Sequence, residues 1–378
     1  MGASHRRRII SRRRPEGPAL LLAWGLAACG PAACGPAPPP PPPEEAVQVP
    51  GEGTVAVWVE APRRLAGPLL KMFEEQSGID VVPQYRETLG DRFEESVRAE
   101  AAAGRVDLVW TASPLLAARL AEDGHAAPFR PLGARAVPMQ YRDPGYRWIG
   151  VAANPRVIIY NNERLTREQA PTSIHNLASP PWAGRAALAR IDSGGAAFQA
   201  AALFAAWGDE RAREFFGRVR DGGARIVADD AAVRRAVTSG EALWGFIGLD
   251  EAIGAKREGE PVHIFYPDRM TAPGTSVPPH AAVLLRNAPN PAQARGLFAY
   301  LFTTEAGFAL GTNDCPLVPI LPDVPKHDWV PALSTFNIMR VDNDAVFRAY
   351  RRQAAYLEEW SAAADAPAPA PVPRAPPA

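Results

Sequence analysis

The chain has 378 residues, with 41 basic and 41 acidic side chains, 47% hydrophobic residues and three cysteines. Residues 1–28 hold six Arg and one Glu, so removing them leaves 35 basic and 40 acidic groups. No basic cluster survives, which argues against a nucleic-acid groove, and three Cys without CxxC spacing argue against a zinc site or a disulfide framework.

Arg6 to Arg8 and Arg12 to Arg14 precede a short apolar run from Ala19 to Trp24, far below the ~20 residues of a membrane span. The stretch Leu26-Ala27-Ala28-Cys29 that follows resembles a bacterial lipobox. That resemblance implies cleavage of residues 1–28 as a lipoprotein signal peptide and acylation of Cys29. A periplasmic or cell-surface protein follows, held on the membrane through its lipid anchor. Residues 29–53 read as a Pro-rich tether, in which Pro38 to Pro43 form a semi-rigid spacer of about 3.1 Å per residue.

From Thr54 the chain alternates strand and helix. Thr54 to Val59 is a strand, Leu65 to Ser77 a helix stopped by Gly78, and Ile79 to Pro83 a second strand. A charged helix over Arg92 to Ala103, a strand over Val106 to Trp110 and a helix over Pro114 to Glu122 come next. Trp148 to Ala152 and Val157 to Tyr160 are two strands with no helix between them. A second series then runs from a strand at Ala186 to Ala189, through helices at Ala196 to Trp207 and Arg211 to Arg220, to a strand at Arg225 to Val227. It continues with a helix at Ala231 to Ser239, a strand at Leu243 to Ile247 and a helix at Asp250 to Gly259. His280 to Leu285 is another strand without a helix before it, followed by helices over Pro291 to Phe302, Thr304 to Leu310 and Ala345 to Glu359.

Continuous apolar strands separated by helices predict parallel sheets covered on both faces. Two α/β series joined by two separate extended crossings predict a hinged, two-lobed clamshell. The expected boundaries are lobe 1 over 54–150, lobe 2 over 151–261, a return to lobe 1 over 262–310 and a closing helical segment on lobe 2 over 311–361. A disordered Ala/Pro tail over 362–378 completes the chain.

In open parallel sheets, ligands sit beyond the carboxyl ends of strands, and this nominates specific loops. Glu60 follows the first strand; Thr111 and Ser113 follow the third, where Ser113 before Pro114 also reads as a helix cap. Trp58 and Trp110, at strand ends, are candidates for a pocket wall or for core. Asp192-Ser193-Gly194-Gly195 opens a long Ala-rich helix, where two glycines let a ligand approach and free N–H groups favour an anion. Asp250 and Glu251 at a helix start can grip an amine or metal, or simply complement the helix dipole. Thr275 lies in the approach to the second crossing and offers a hydroxyl or a hinge. No HExxH, GxSxG, P-loop or dinucleotide-binding fingerprint is present and the six His are scattered, so no catalytic residue and no cofactor are assigned.

The body also resembles the extracellular solute-binding proteins of ABC importers, in the branch of ferric-iron and aminoethylphosphonate binders. The matching stretches are Leu69 to Ile79, Val106 to Trp110, Pro180 to Arg185, Ala236 to Glu241, Tyr266-Pro267-Asp268 and Asn287 to Asn290, in family order over roughly 54–310. The resemblance implies a periplasmic-binding-protein type II fold that closes on its ligand by hinge bending. The ligand contacts expected from the strand-end loops are Glu60, Thr111, Ser113, Ser193, Gly194, Gly195, Asp250, Glu251 and Thr275, and the resemblance bears on Ser193 to Gly195 among them. Its partners would be a small-molecule solute and an inner-membrane ABC permease, with no nucleic acid, and the protein would be a monomer. Ser193 to Ala196 match the place where iron binders hold a synergistic anion and phosphonate binders the phosphonate. The adjacent tyrosines of iron binders are replaced here by Leu249-Asp250-Glu251. A phosphonate, zwitterion or oxyanion therefore moves ahead of ferric iron. Two other roles fit the same pattern: a secreted enzyme using Asp250 or Glu251 as acid/base, and a ligand-sensing subunit of a membrane receptor.

Overall fold

The computed structural model describes residues 40–362. The leader, Cys29, the first part of the tether and the tail from 363 onward lie outside the described residues. In chain order the first half holds β1 (Glu44–Glu45), β2 (Thr54–Val59), α1 (Arg63–Ser77), β3 (Asp80–Tyr85), α2 (Arg86–Leu89) and α3 (Phe93–Ala102). Next come β4 (Leu108–Thr111), α4 (Pro114–Glu122), β5 (Arg130–Pro131) and β6 (Ile149–Ala153). The second series is β7 (Arg156–Asn161), β8 (Ala186–Ala189), α5 (Gly194–Trp207), α6 (Asp209–Asp221), β9 (Arg225–Val227), α7 (Asp230–Thr238), β10 (Trp244–Gly248), α8 (Leu249–Arg257) and β11 (Val262–Phe265). The return comprises β12 (Pro279–Leu284), α9 (Pro291–Tyr300), α10 (Thr304–Thr312), β13 (Val318–Pro319) and α11 (Asn343–Ser361).

Local chemistry sets these boundaries. In α1, Leu65, Leu69, Leu70 and Phe73 form the buried stripe, and Gly78 ends the helix at φ 72° with its N–H donating to Glu74 O. Ser113 caps α4, its hydroxyl accepting from the Leu116 N–H, with Pro114 in the first turn. Asp342 caps α11 in the same way through the Ala345 N–H. Helix α5 is buried along Ala196–Phe204 because α4, α6 and α11 pack around it, and its alanines permit that crowding.

The strands form two large sheets, one per lobe: β13-β6-β12-β4-β2-β3 and β11-β7-β10-β8-β9. Both sheets are mixed, which corrects the all-parallel expectation. The helix-linked strands β2, β3 and β4 pair in parallel, as do β8, β9 and β10. The strands beside the crossings, β6, β7, β11 and β12, pair antiparallel with their neighbours, since an antiparallel neighbour needs no crossover helix. Trp110 is fully buried in the core and Trp58 packs on Phe93 with ring centroids 5.8 Å apart. Both therefore serve packing.

The chain changes sheets at Asn154-Pro155, between β6 and β7, and returns between β11 and β12. A third passage leaves β13 in the first sheet and reaches α11, which lies along α5 in the second lobe. The three passages bond to one another as a ribbon. Asn154 N–H donates to Pro278 O (2.9 Å) and Arg156 N–H to Ser276 O (2.8 Å). Thr275 N–H donates to Asn337 O (2.7 Å) and Met339 N–H to Thr275 O (2.9 Å). At the end of α11 the fully buried Trp360 donates its indole N–H to Phe216 O at 2.8 Å. Trp360→Ala is expected to lower the unfolding free energy by about 3–5 kcal/mol, read as a fall in the urea midpoint.

Candidate functional site

The loops after β2, β4, β8, β9 and β10 face one another across a cavity of about 220 Å³. The first lobe supplies Glu60, Arg86 and Ala112. The second supplies Arg190, Ser193 to Ala196, Asp229, Asp230, Asp250 and Glu251, and the crossings supply Asn154, Arg156, Pro278 and His280. Six of the nine predicted ligand contacts therefore share one cleft: Glu60, Ser193, Gly194, Gly195, Asp250 and Glu251.

The start of α5 is the cleft's anion-favouring surface. Ser193 occupies the cap position with extended backbone and makes no side-chain capping bond, so its hydroxyl is not spent on the helix. Gly194 has φ 62°, in the left-handed region that favours glycine. A Cβ on Gly195 would lie 3.3 Å from Arg156 Nη1, so a side chain there would press on the guanidinium. The start of the helix thus lines the cavity with no side-chain cap on its first N–H groups.

Arg156 lies beneath that turn and is 1% exposed. Its guanidinium forms a two-pronged pair with Asp230, with Nη2 to Oδ1 at 2.9 Å and Nη1 to Oδ2, and Nη2 also donates to Phe246 O at 3.3 Å. Arg190 pairs with Asp192 at 3.2 and 2.5 Å. This neutralises the carboxylate that otherwise makes the loop an awkward neighbour for an anion. Arg86 from the first lobe pairs with Glu60.

Glu60 is a structural hub as well as a wall. Its carboxylate accepts from Arg86, from the Thr111 hydroxyl and from Ser113 N–H at 3.1 Å. Thr111 and Ser113 are 0% and 1% exposed and stand behind Glu60, orienting it. Ser113 Oγ is engaged with Leu116 N–H at 3.3 Å. Thr275 does not join the cleft. It is buried in the hinge ribbon, where its hydroxyl donates to Pro267 O at 2.8 Å and its backbone bridges the third passage.

Asp250 and Glu251 do come to the cleft, with partners already in place. Asp250 Oδ1 accepts from Asn154 Nδ2 at 2.9 Å and from Glu251 N–H at 2.8 Å, and burial pushes its carboxyl above the usual range. Glu251 is shared between Arg64 (3.1 Å) and Arg234 (3.3 Å). Burial and the neighbouring Asp250 raise its pKa, while the two arginines pull it back. Among the described residues no group of three or more His, Cys, Asp and Glu is placed to hold a metal ion, and no tyrosine lines the cavity.

Arg86, Arg156, Arg190, Asn154 and His280 are cleft residues that sequence reasoning missed. Two of them left a signal: Arg156 and His280 each open an otherwise apolar strand, where a lone polar group needs a reason. His280 is 1% exposed. Burial drives its pKa down to about 4, opposed by the nearby Glu60, so the ring is neutral at pH 7. Its Nε2 lies 3.5 Å from Asn154 Nδ2, and Nδ1 has no hydrogen-bond partner among the described residues.

Residues 106–344 match the family described as bacterial extracellular solute-binding protein. The chain is similar to iron uptake protein A1 of Synechocystis, 27% identical over 281 residues that cover 71% of this chain and 76% of that one. Among solved structures it is similar to iron-bound HitA from Pseudomonas aeruginosa, with a TM-score of 0.71 at 21% identity, covering 81% of this chain and 98% of that chain. It is also similar to the periplasmic binding protein AfuA from Actinobacillus pleuropneumoniae with exogenous fructose-6-phosphate bound. That match has a TM-score of 0.70 at 18% identity and covers 81% of this chain and 99% of that chain.

The His280 environment gives a pH test. The unfolded ring titrates near 6.5 and the folded one near 4. Its contribution is therefore complete above pH 6.5 and is lost as the pH falls through about 4, up to roughly 3 kcal/mol. Unfolding free energies of wild type and His280→Gln, compared at pH 7 and pH 4, should show the larger acid loss in wild type.

Proposed function

The chain belongs to the bacterial extracellular solute-binding proteins, and from that premise we propose that it is the lipid-anchored binding component of an ABC importer for a small organic oxyanion. The family places the chain outside the cytoplasm, and its two-lobed α/β fold is the type II periplasmic-binding-protein fold shared with HitA. The solute class is a phosphonate, a phosphate-bearing molecule or a zwitterion with such a group. It is passed from between the lobes to an inner-membrane permease.

The observation that carries the reading is the uncapped start of α5 over the buried Arg156, with Arg86 and Arg190 on either side. Backbone N–H groups and a helix dipole are the donors that match a phosphonate or phosphate, and the guanidinium groups around them, each paired with a carboxylate, add nearby positive charge. Ferric iron ranks second. It requires several free anionic oxygens, and here Glu60, Asp230, Asp250 and Glu251 already accept bonds from protein donors. The relatives cover both chemistries: the Synechocystis protein is named for iron uptake, and the AfuA structure carries fructose-6-phosphate. Acid/base work by Glu251 is disfavoured by its two arginine partners.

A thermal-shift panel of 2-aminoethylphosphonate, inorganic phosphate, a hexose phosphate and ferric citrate tests the proposal. A solute present at about 1,000 times its Kd adds roughly 4 kcal/mol of stability. The expected result is a shift with one or more phosphorus oxyanions, which Gly195→Asp weakens at least about 100-fold by adding a carboxylate against the anion. A shift with ferric citrate alone would overturn the oxyanion assignment. For the anchor, metabolic labelling with radioactive palmitate should mark the wild-type chain, and Cys29→Ala should carry no label and leave the membrane fraction.

A further inference from the structure

We propose that Arg64 is a positioning residue that latches the two lobes together across the mouth of the cleft, so that a salt-sensitive contact outside the solute cavity sets how readily the cleft opens. The inference rests on the solute-binding reading for its meaning. Its geometry and its test do not depend on which solute is bound.

Arg64 stands in the first turn of α1, in the first lobe. Its guanidinium reaches two carboxylates of the second lobe at once, with Nη2 to Glu251 Oε1 at 3.1 Å and Nη1 to Glu258 Oε1 at 3.3 Å. The spacing 251, 254, 258 places Glu251, Gly254 and Glu258 along one side of α8 and its cap. Between the two acids Gly254 leaves a gap, since a Cβ there would lie 3.3 Å from Arg64 Nη2. The guanidinium thus lies over the helix between two acceptors.

Those acceptors are held ready from inside their own lobe. Arg234 on α7 takes the other oxygen of each, Glu251 Oε2 at 3.3 Å and Glu258 Oε2 at 2.5 Å, and binds Glu260 at 2.8 Å. Each carboxylate is therefore split, one oxygen for its own lobe and one for the opposite lobe. Acceptors fixed in advance reduce the rotamer entropy lost when Arg64 docks. On the donor side, Asn313 Nδ2 donates to Arg64 O at 3.1 Å within the first lobe. A second cross-lobe pair runs beside it, Arg257 Nη2 to Asp314 Oδ1 at 2.6 Å, with Arg257 also over the Trp329 ring at 5.3 Å.

The strength of these pairs suits a latch. The Arg64 side chain is 41% exposed and that of Asp314 is 82% exposed, so salt screens both contacts and each is worth less than about a fivefold bias. Together they shift closure by roughly tenfold, enough to slow opening without locking the cleft. Glu251 lines both the solute cavity and its charged mouth, which connects the latch to what lies inside.

Hydrogen–deuterium exchange on the full-length, detergent-solubilised protein without added solute tests this. The reporters are the amides of Asn154 and Arg156, whose bonds to Pro278 and Ser276 cross the hinge ribbon. Val57, in the core strand of the first lobe, is the reference. Arg64→Gln is expected to speed exchange at the hinge amides about threefold or more while leaving Val57 unchanged. Glu258→Gln, on the opposite lobe and outside the solute cavity, should do the same, and the double variant should add little beyond either single one. One molar KCl should accelerate the wild-type hinge and have a smaller effect on Arg64→Gln, where only the Arg257–Asp314 pair remains to be screened. Unchanged hinge exchange in both single variants, or an equal salt response in wild type and Arg64→Gln, overturns the proposal. If Val57 accelerates in Arg64→Gln, that variant has lost fold stability and Glu258→Gln decides.

Discussion

A guanidinium buried at the base of the cleft is the constraint around which the site is arranged. Arg156 is the first residue of β7, immediately after the chain changes lobes, and it is almost fully shielded from water. A charge in that position requires a fixed counter-charge, and losing the partner of such a pair costs about 3–5 kcal/mol. Asp230, opening α7, supplies it, and the same carboxylate accepts the Gly248 N–H at 2.9 Å. One pair, its arginine buried and its aspartate partly exposed, therefore registers β7, α7 and the end of β10. The same guanidinium crowds Gly195, where a Cβ would lie 3.3 Å from Arg156 Nη1 and require it to shift by a few tenths of an ångström. The cavity wall at that turn is main chain backed by the paired guanidinium.

Charge pairing also decides which polar atoms of the cavity wall are already engaged. Five carboxylates line the cavity, yet Asp230, Glu60 and Glu251 are bound to arginines, Asp250 to Asn154 and a backbone N–H, and Asp229 to the Ala232 N–H at 2.8 Å. The lining is acidic by composition, but each of these acids already accepts at least one bond from a protein donor. Lobe movement, in turn, is governed by the three passages. Asn154 to Arg156, Thr275 to Pro278 and Asn337 to Met339 share backbone bonds, so the hinge is a small ribbon with its own ladder. Thr275 lends its backbone to that ladder, and its buried hydroxyl donates to Pro267 O instead of facing the cavity.

Several stretches that carry the family likeness are structural staples. Asp107, fully buried, accepts from Ala56 N–H (2.8 Å), Asn290 N–H (2.6 Å) and Asn290 Nδ2 (3.0 Å). Two matching stretches separated by most of the body thus meet in one contact. Asp268, at φ 54°, accepts from Ile174 N–H at 3.0 Å and holds the approach to the second crossing. Gly184 has φ 76° and passes so near Gly222 O that a Cβ would sit 2.4 Å away. These residues identify the fold because the fold needs them, and for that reason they carry no information about the solute.

Local sequence by itself determined the elements and the loops that reach the cleft. Apolar periodicity, the Ser113-Pro114 cap and the glycine stops mark the helices, and the carboxyl-end rule selects Glu60, Thr111, Ser113, Ser193, Gly194, Gly195, Asp250 and Glu251, of which all but Thr111 and Ser113 line the cavity. Such features depend on neighbours within a few residues, so they are readable along the chain. Which side chains are free to bind was decided only by the tertiary structure. Arg156 meets Asp230 across 74 residues and Arg64 meets Glu251 across 187. Antiparallel pairing beside the crossings, the third passage of the hinge and the neutral state of His280 have the same origin. Electrostatic pairing and desolvation act through space, and no spacing along the chain encodes them.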